Sequence, residues 1–181
     1  MIRGLNGFVS GRTNLDERQL VPHLKERARS RSPLEGRTHV DAVLIDGSTH
    51  CAVLFEGKVT SDCSYQVTFD MMRNQLARNI DAMLDPNPQL QPPLNACDPE
   101  RSAFVLLTPQ VFRDNPHTRL YGRLMQEYQS SPWALHRDLP HRAFETTDWH
   151  HDLSRRIGWL TFEDCAELIP DSCQWLANDN W

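Results

Sequence analysis

The chain has 181 residues, 39% of them hydrophobic, and a net charge of −5 from 19 basic and 24 acidic side chains. This is one domain's length of chain, able to bury a single core, and its acidic balance argues against a strong nonspecific polyanion binder. No run is long and apolar enough to span a bilayer and no basic-then-apolar leader opens the sequence, so a soluble cytoplasmic protein without membrane contact is expected. The five cysteines, Cys51, Cys63, Cys97, Cys165 and Cys173, are odd in number and irregularly spaced. Reduced thiols are therefore expected rather than a disulfide framework.

Residues 1–14 show no period. Asn14 or Asp16 can cap a helix running to about Arg29, with Leu20, Val21, Leu24 and Ala28 as its buried stripe. Met1 to Val40 carries eight basic residues against four acidic ones, and Arg27, Arg29, Arg31 and Arg37 cluster at its end. That cluster reads either as a phosphate-contacting edge or as cations solvating a helix C-terminus.

The next stretch carries the chemistry. Asp41 opens the apolar run Ala42-Val43-Leu44-Ile45, Asp46 to His50 supplies turn residues, and Cys51 to Phe55 runs back into Glu56-Gly57-Lys58. A hairpin centred near Ser48 puts Asp41 beside Phe55 or Glu56. Alternation along the strand points Glu56 and Lys58 the same way. Two carboxylates able to hold a hard cation, with an ammonium next to them, suit metal-assisted hydrolysis of a phosphodiester. Lys25 and Lys58 are the only lysines among the 19 basic residues. A compact ammonium at 58, in so arginine-rich a chain, suits a group that must approach water or phosphate closely.

Downstream, Thr60 to Ser64 is polar and turn-like, and Asp62 and Asp70 read as helix caps or supporting groups. A helix is expected from about Phe69 to Leu84, with Met72, Leu76, Ile80, Met83 and Leu84 on its core face. Asn74, Gln75, Arg78 and Asn79 lie elsewhere on its circumference. Five prolines between Asp85 and Glu100 imply a surface loop. Ala103 to Leu107 reads as a strand buried on both faces. A helix from Pro116 to Gln129, a loop from Ser131 to Pro140 and a helix from Asp148 to Arg156 follow, with Gly158 at its C′ position. Thr161 to Asp164 resembles a capping box opening a last helix to Ile169. The fold class is α/β, a mixed central sheet flanked by helices.

Asp41, fourteen intervening residues and then Glu56-Gly57-Lys58 resemble the D-(x)n-E-x-K signature of the PD-(D/E)XK, or restriction-endonuclease-like, nucleases, with Val40 where the family usually has proline. The resemblance rests mainly on residues 39–84. It implies an αβββαβ core at about 15–110 within a single domain, 1–181, with a helical part at 111–181. One further short strand, in 36–41 or just before, would be needed to complete that core. The resemblance implies Mg²⁺ or Mn²⁺ as cofactor, held by Asp41, Glu56 and the Gly57 carbonyl, with Lys58 orienting water and offsetting phosphate charge. Members of the superfamily often place a glutamine or arginine on the following helix, which here implies Gln75 in catalysis and Arg78, with Arg37 and Arg31, against nucleic acid, DNA in the first instance. Glu17, Glu26 or Glu35 would supply the extra carboxylate that some members carry on the first helix. Small members often pair to cut two strands, so a homodimer is compatible with it.

Two other readings stay open. A catalytically silent nuclease-fold interaction module fits the acidic charge. An unrelated zinc enzyme would use His136, His141, His150 and His151, although their spacings match no common zinc pattern. Trp149, Trp159, Trp175 and Trp181 are candidates for base stacking, with Trp159 read as core or interface.

Overall fold

The computed structural model describes residues 40–63, 74–85, 92–139, 142 and 147–177. The expectations for residues 1–39 lie outside the described residues: the first helix, Arg31, Arg37, the choice among Glu17, Glu26 and Glu35, and a strand before position 40. Asp70 and Met72 lie outside them as well.

Strands β1 (Ala42–Asp46), β2 (Cys51–Gly57), β3 (Ala103–Thr108) and β4 (Ile157–Thr161) form one sheet in the order β1-β2-β3-β4. β1 and β2 are antiparallel; β2–β3 and β3–β4 are parallel. The hairpin pairs Ala42 with Phe55 and Asp46 with Cys51, so its turn is centred as expected. Asp46 makes that turn by accepting from the Ser48 N–H (2.9 Å), the Ser48 hydroxyl (2.6 Å) and the Thr49 hydroxyl (2.7 Å). The left-handed residue is His50, at φ 55, rather than Gly47.

Helix α1 (Gln75–Met83) links β2 to β3 and packs on both. Leu76 and Ile80 are fully buried there with Phe104 and Leu106 of β3. Beyond β3 come α2 (Gln110–Asp114), a 3-10 turn at Pro116–Thr118, α3 (Leu120–Ser130), α4 (Pro132–Asp138) and α5 (Thr147–Arg155). After β4, the chain adds α6 (Phe162–Leu168). Tyr121, Met125, Tyr128, Leu135, Leu139 and Leu153 complete the core. Each such side chain contributes about 1.5–3 kcal/mol by leaving water.

Four expectations change. Residues 131–140 contain helix α4, because Pro132 stands at its first position, where the missing N–H costs nothing. The helix expected from Pro116 begins as a 3-10 turn and becomes α-helical only at Leu120. Gly158 is not a helix cap but lies in β4, opposite Val105. β3 is fully buried on one face only, its other face being half-buried. The capping box is present: the Thr161 hydroxyl accepts from the Asp164 N–H, and the Asp164 carboxylate accepts from the Thr161 N–H. All five cysteines are free thiols.

Candidate functional site

The site lies where β2 leaves the sheet beneath α1. Along β2 the alternate residues Ala52, Leu54 and Glu56 are buried, and Lys58 continues that series at 8% exposure, with Glu56 at 3%. Two charged side chains therefore occupy the face that β2 otherwise packs with apolar residues. Burial on that scale is expensive unless both groups are paired and hydrogen-bonded.

They are paired. Lys58 Nζ stands 2.8 Å from Glu56 Oε1. It also donates to Gln75 Oε1 at 2.8 Å, while Gln75 Nε2 donates to Glu56 Oε1 at 2.5 Å. Gln75 thus bridges the two charges. Asn79, one turn further along α1, donates from Nδ2 to Glu56 Oε2 at 3.0 Å. Burial, the largest influence, pushes the Glu56 carboxyl above its ordinary value. The Lys58 hydrogen bond and charge oppose that rise, and the charge of nearby Asp41 adds to it.

Asp41 approaches from the strand edge. Its N–H donates to the Phe55 carbonyl (3.0 Å), and its Oδ2 accepts from the Gly57 N–H (2.8 Å). The Lys58 N–H turns the other way, to Leu107 of β3. N–H and C=O of one residue in an extended strand face the same side, so the Gly57 carbonyl lies on the Asp41 edge. A Cβ at position 57 would sit 3.5 Å from Asp41 Oδ2, an ordinary contact, so space does not demand glycine there.

Helix α1 is held at both ends. Its N-cap residue, Asn74, accepts from the Ala77 N–H through Oδ1 and donates from Nδ2 to the Tyr128 hydroxyl (2.7 Å) and to Asp138 Oδ2 (3.1 Å). Tyr128 in turn donates to Asp138 at 2.6 Å. At the C-terminal end, Arg142 pairs with the Asp81 carboxylate and donates to the Asp81 and Leu84 carbonyls. Asp62 accepts from the Leu120 and Tyr121 N–H groups, capping α3 rather than the helix that follows it in sequence.

The structure therefore brings Glu56, Lys58 and Gln75 into direct contact and sets Asp41 beside them. Arg78 is half-buried on α1. Asn74 and Asn79, expected on a polar circumference, are buried at 0% and 1% exposure. Asn79 was legible only as the residue one helical turn after Gln75. Asp41, Glu56 and the Gly57 carbonyl are hard oxygen donors, a set that suits Mg²⁺ or Mn²⁺, which keep several waters and take one or two carboxylates. Among the described residues no group of three or more His, Cys, Asp or Glu could hold a metal ion. The described histidines thus form no such group, while His141 and the His150 side chain lie outside the described residues. Trp159 is half-buried, donates to the Thr108 hydroxyl (2.9 Å) and meets the Tyr121 ring edge-on at 6.1 Å, which is a packing role.

No protein-family model matches the chain, and neither a curated protein nor a solved structure matches it. No helix of the described residues is long and apolar enough to cross a membrane.

Proposed function

We propose that this chain is a divalent-metal-dependent nuclease with a restriction-endonuclease-like core, hydrolysing phosphodiester bonds, of DNA in the first instance. The observation that carries the proposal is the buried Glu56–Lys58 pair, 2.8 Å apart, with Asp41 against the same strand end. The antiparallel hairpin, the helix α1 and the parallel strand β3 would correspond to the ββαβ portion of the αβββαβ order.

In this reading Asp41, Glu56 and the Gly57 carbonyl would hold Mg²⁺ or Mn²⁺, which when bound would lower the pKa of a bound water and offset phosphate charge. Lys58 exchanges its contact with Glu56 for one with the attacking water or a phosphate oxygen, a move open to a flexible ammonium. Gln75 keeps a donor on Glu56 as Lys58 moves. The burial of Lys58 and Glu56 strengthens every electrostatic term at that point.

The test is cleavage of DNA and RNA with Mg²⁺ or Mn²⁺. Activity is expected in the wild type and lost in Glu56→Ala and Lys58→Ala; cleavage surviving both would sink the proposal. A second reading is a silent interaction module. It is favoured by the fact that both Glu56 oxygens already accept protein hydrogen bonds. Titration calorimetry with Mn²⁺ discriminates, since folded protein that binds no Mn²⁺ supports the silent module.

A further inference from the structure

We infer that Asn79 is a positioning residue: it fixes the plane of the Glu56 carboxylate so that Oε1 stays toward Lys58 and the Asp41 edge. The inference rests on the nuclease reading and adds to it a residue outside the signature. Three observations carry it. Asn79 Nδ2 reaches Glu56 Oε2 at 3.0 Å, the oxygen that neither Lys58 nor Gln75 is shown to touch. Asn79 is 1% exposed, so its amide is not a solvated surface group that happens to lie nearby. Gln75 and Asn79 are four residues apart on α1, one above the other, so a single helix face grips one oxygen each.

The division of labour follows from the chemistry of the donors. Lys58 carries a charge and must be free to move, and Gln75 is shared between Lys58 and Glu56. Asn79 is a neutral donor with its own oxygen of Glu56. A carboxylate held at one oxygen can swing about its Cγ–Cδ bond; held at both, it keeps one orientation. Groups supporting a metal-ligating side chain typically change metal affinity or activity by about 10–100-fold when removed.

The experiment compares Asn79→Leu, which keeps the volume and removes the donor, with Asn79→Ser, which stays polar but falls short of Glu56. Leu76→Val, a core change on the same helix, reports what mere loosening of α1 does. Mn²⁺ affinity by titration calorimetry and steady-state cleavage of DNA are measured on the full chain. Both Asn79 variants should bind Mn²⁺ about 10–100-fold more weakly and lose kcat with KM for DNA unchanged, while Leu76→Val should lower Tm alone. Mn²⁺ affinity and kcat equal to wild type in both Asn79 variants, or moved no further than by Leu76→Val, would overturn the inference and leave the nuclease reading intact. A wild-type chain that neither binds Mn²⁺ nor cleaves would overturn the nuclease reading and the role of Asn79 together.

Discussion

At position 58 an ammonium is buried against a carboxylate at the end of an otherwise apolar strand face, and the energetics of that pair set the first prediction. Removing one partner of a buried ion pair leaves an uncompensated charge, whereas replacing both with packed apolar groups is often neutral or stabilising. Lys58→Met is therefore expected to destabilise the fold by about 3–5 kcal/mol, and Lys58→Met combined with Glu56→Leu to recover part of that loss, the buried Asn79 amide being left without its acceptor. Urea unfolding of the single and double variants checks this. A double variant as unstable as the single one would mean that the pair is a net structural asset rather than a cost carried for chemistry. The pH dependence has a definite sign. Folded Glu56 keeps its proton to higher pH than the unfolded chain, whose value is near 4.5. Above 4.5 the native state therefore binds more protons at this site, and the stability contribution of Glu56 falls as pH rises through its raised value. The difference between wild type and Glu56→Gln, followed by urea midpoints across acidic to neutral pH, should show that slope. Part of the candidate site was legible from residue types, hairpin register and alternation alone, namely Asp41, Glu56 and Lys58, whereas Gln75 entered only through the resemblance to the nuclease superfamily. Asn79 was not, because burial of an asparagine is a tertiary fact that helix periodicity does not carry.

At the scale of elements, α3 does for the site what no local signal announces. Its first turn is capped by Asp62, four residues after Lys58, and its Tyr128 reaches the N-cap of α1. It thereby braces the segment that leaves β2 against the helix that carries Gln75 and Asn79. Tyr128→Phe would leave the buried Asp138 and Asn74 each short of a partner. A loss of about 1–3 kcal/mol is expected, checked by chemical denaturation. Asp62→Ala should cost about 0.5–2 kcal/mol as a lost cap, and a change within error would mean that solvent replaces it freely. The sequence-based reading failed among these elements for identifiable reasons. Pro132 looks like a breaker yet opens α4. The five residues of β4 contain Gly158, which suggested a helix stop, and their strand character comes from pairing with β3. The hairpin and the Thr161 capping box were legible because their determinants are local.

At the scale of the molecule, the described residues bury two of the five thiols, Cys63 and Cys173, and leave the other three half-buried. Burial, the largest influence, pushes the Cys63 thiol up to about 12, with the Asp62 charge adding to the rise. Alkylation followed by mass spectrometry at mildly alkaline pH should label Cys51 before Cys63 and Cys173, which become reactive only on unfolding; early labelling of Cys63 would contradict this core. The net charge of −5 sets a wider expectation. With so acidic an overall balance, nucleic-acid affinity would come from few phosphate contacts, and its salt dependence should be shallow. The proposed nuclease chemistry requires Asp41 and Glu56 to share an ion beneath α1. Crystals soaked in Mn²⁺ and measured for anomalous scattering test it most directly. One strong peak is expected between the Asp41 and Glu56 carboxylates, close to the Gly57 carbonyl. A structure with no peak there, or with its Mn²⁺ elsewhere, would contradict it.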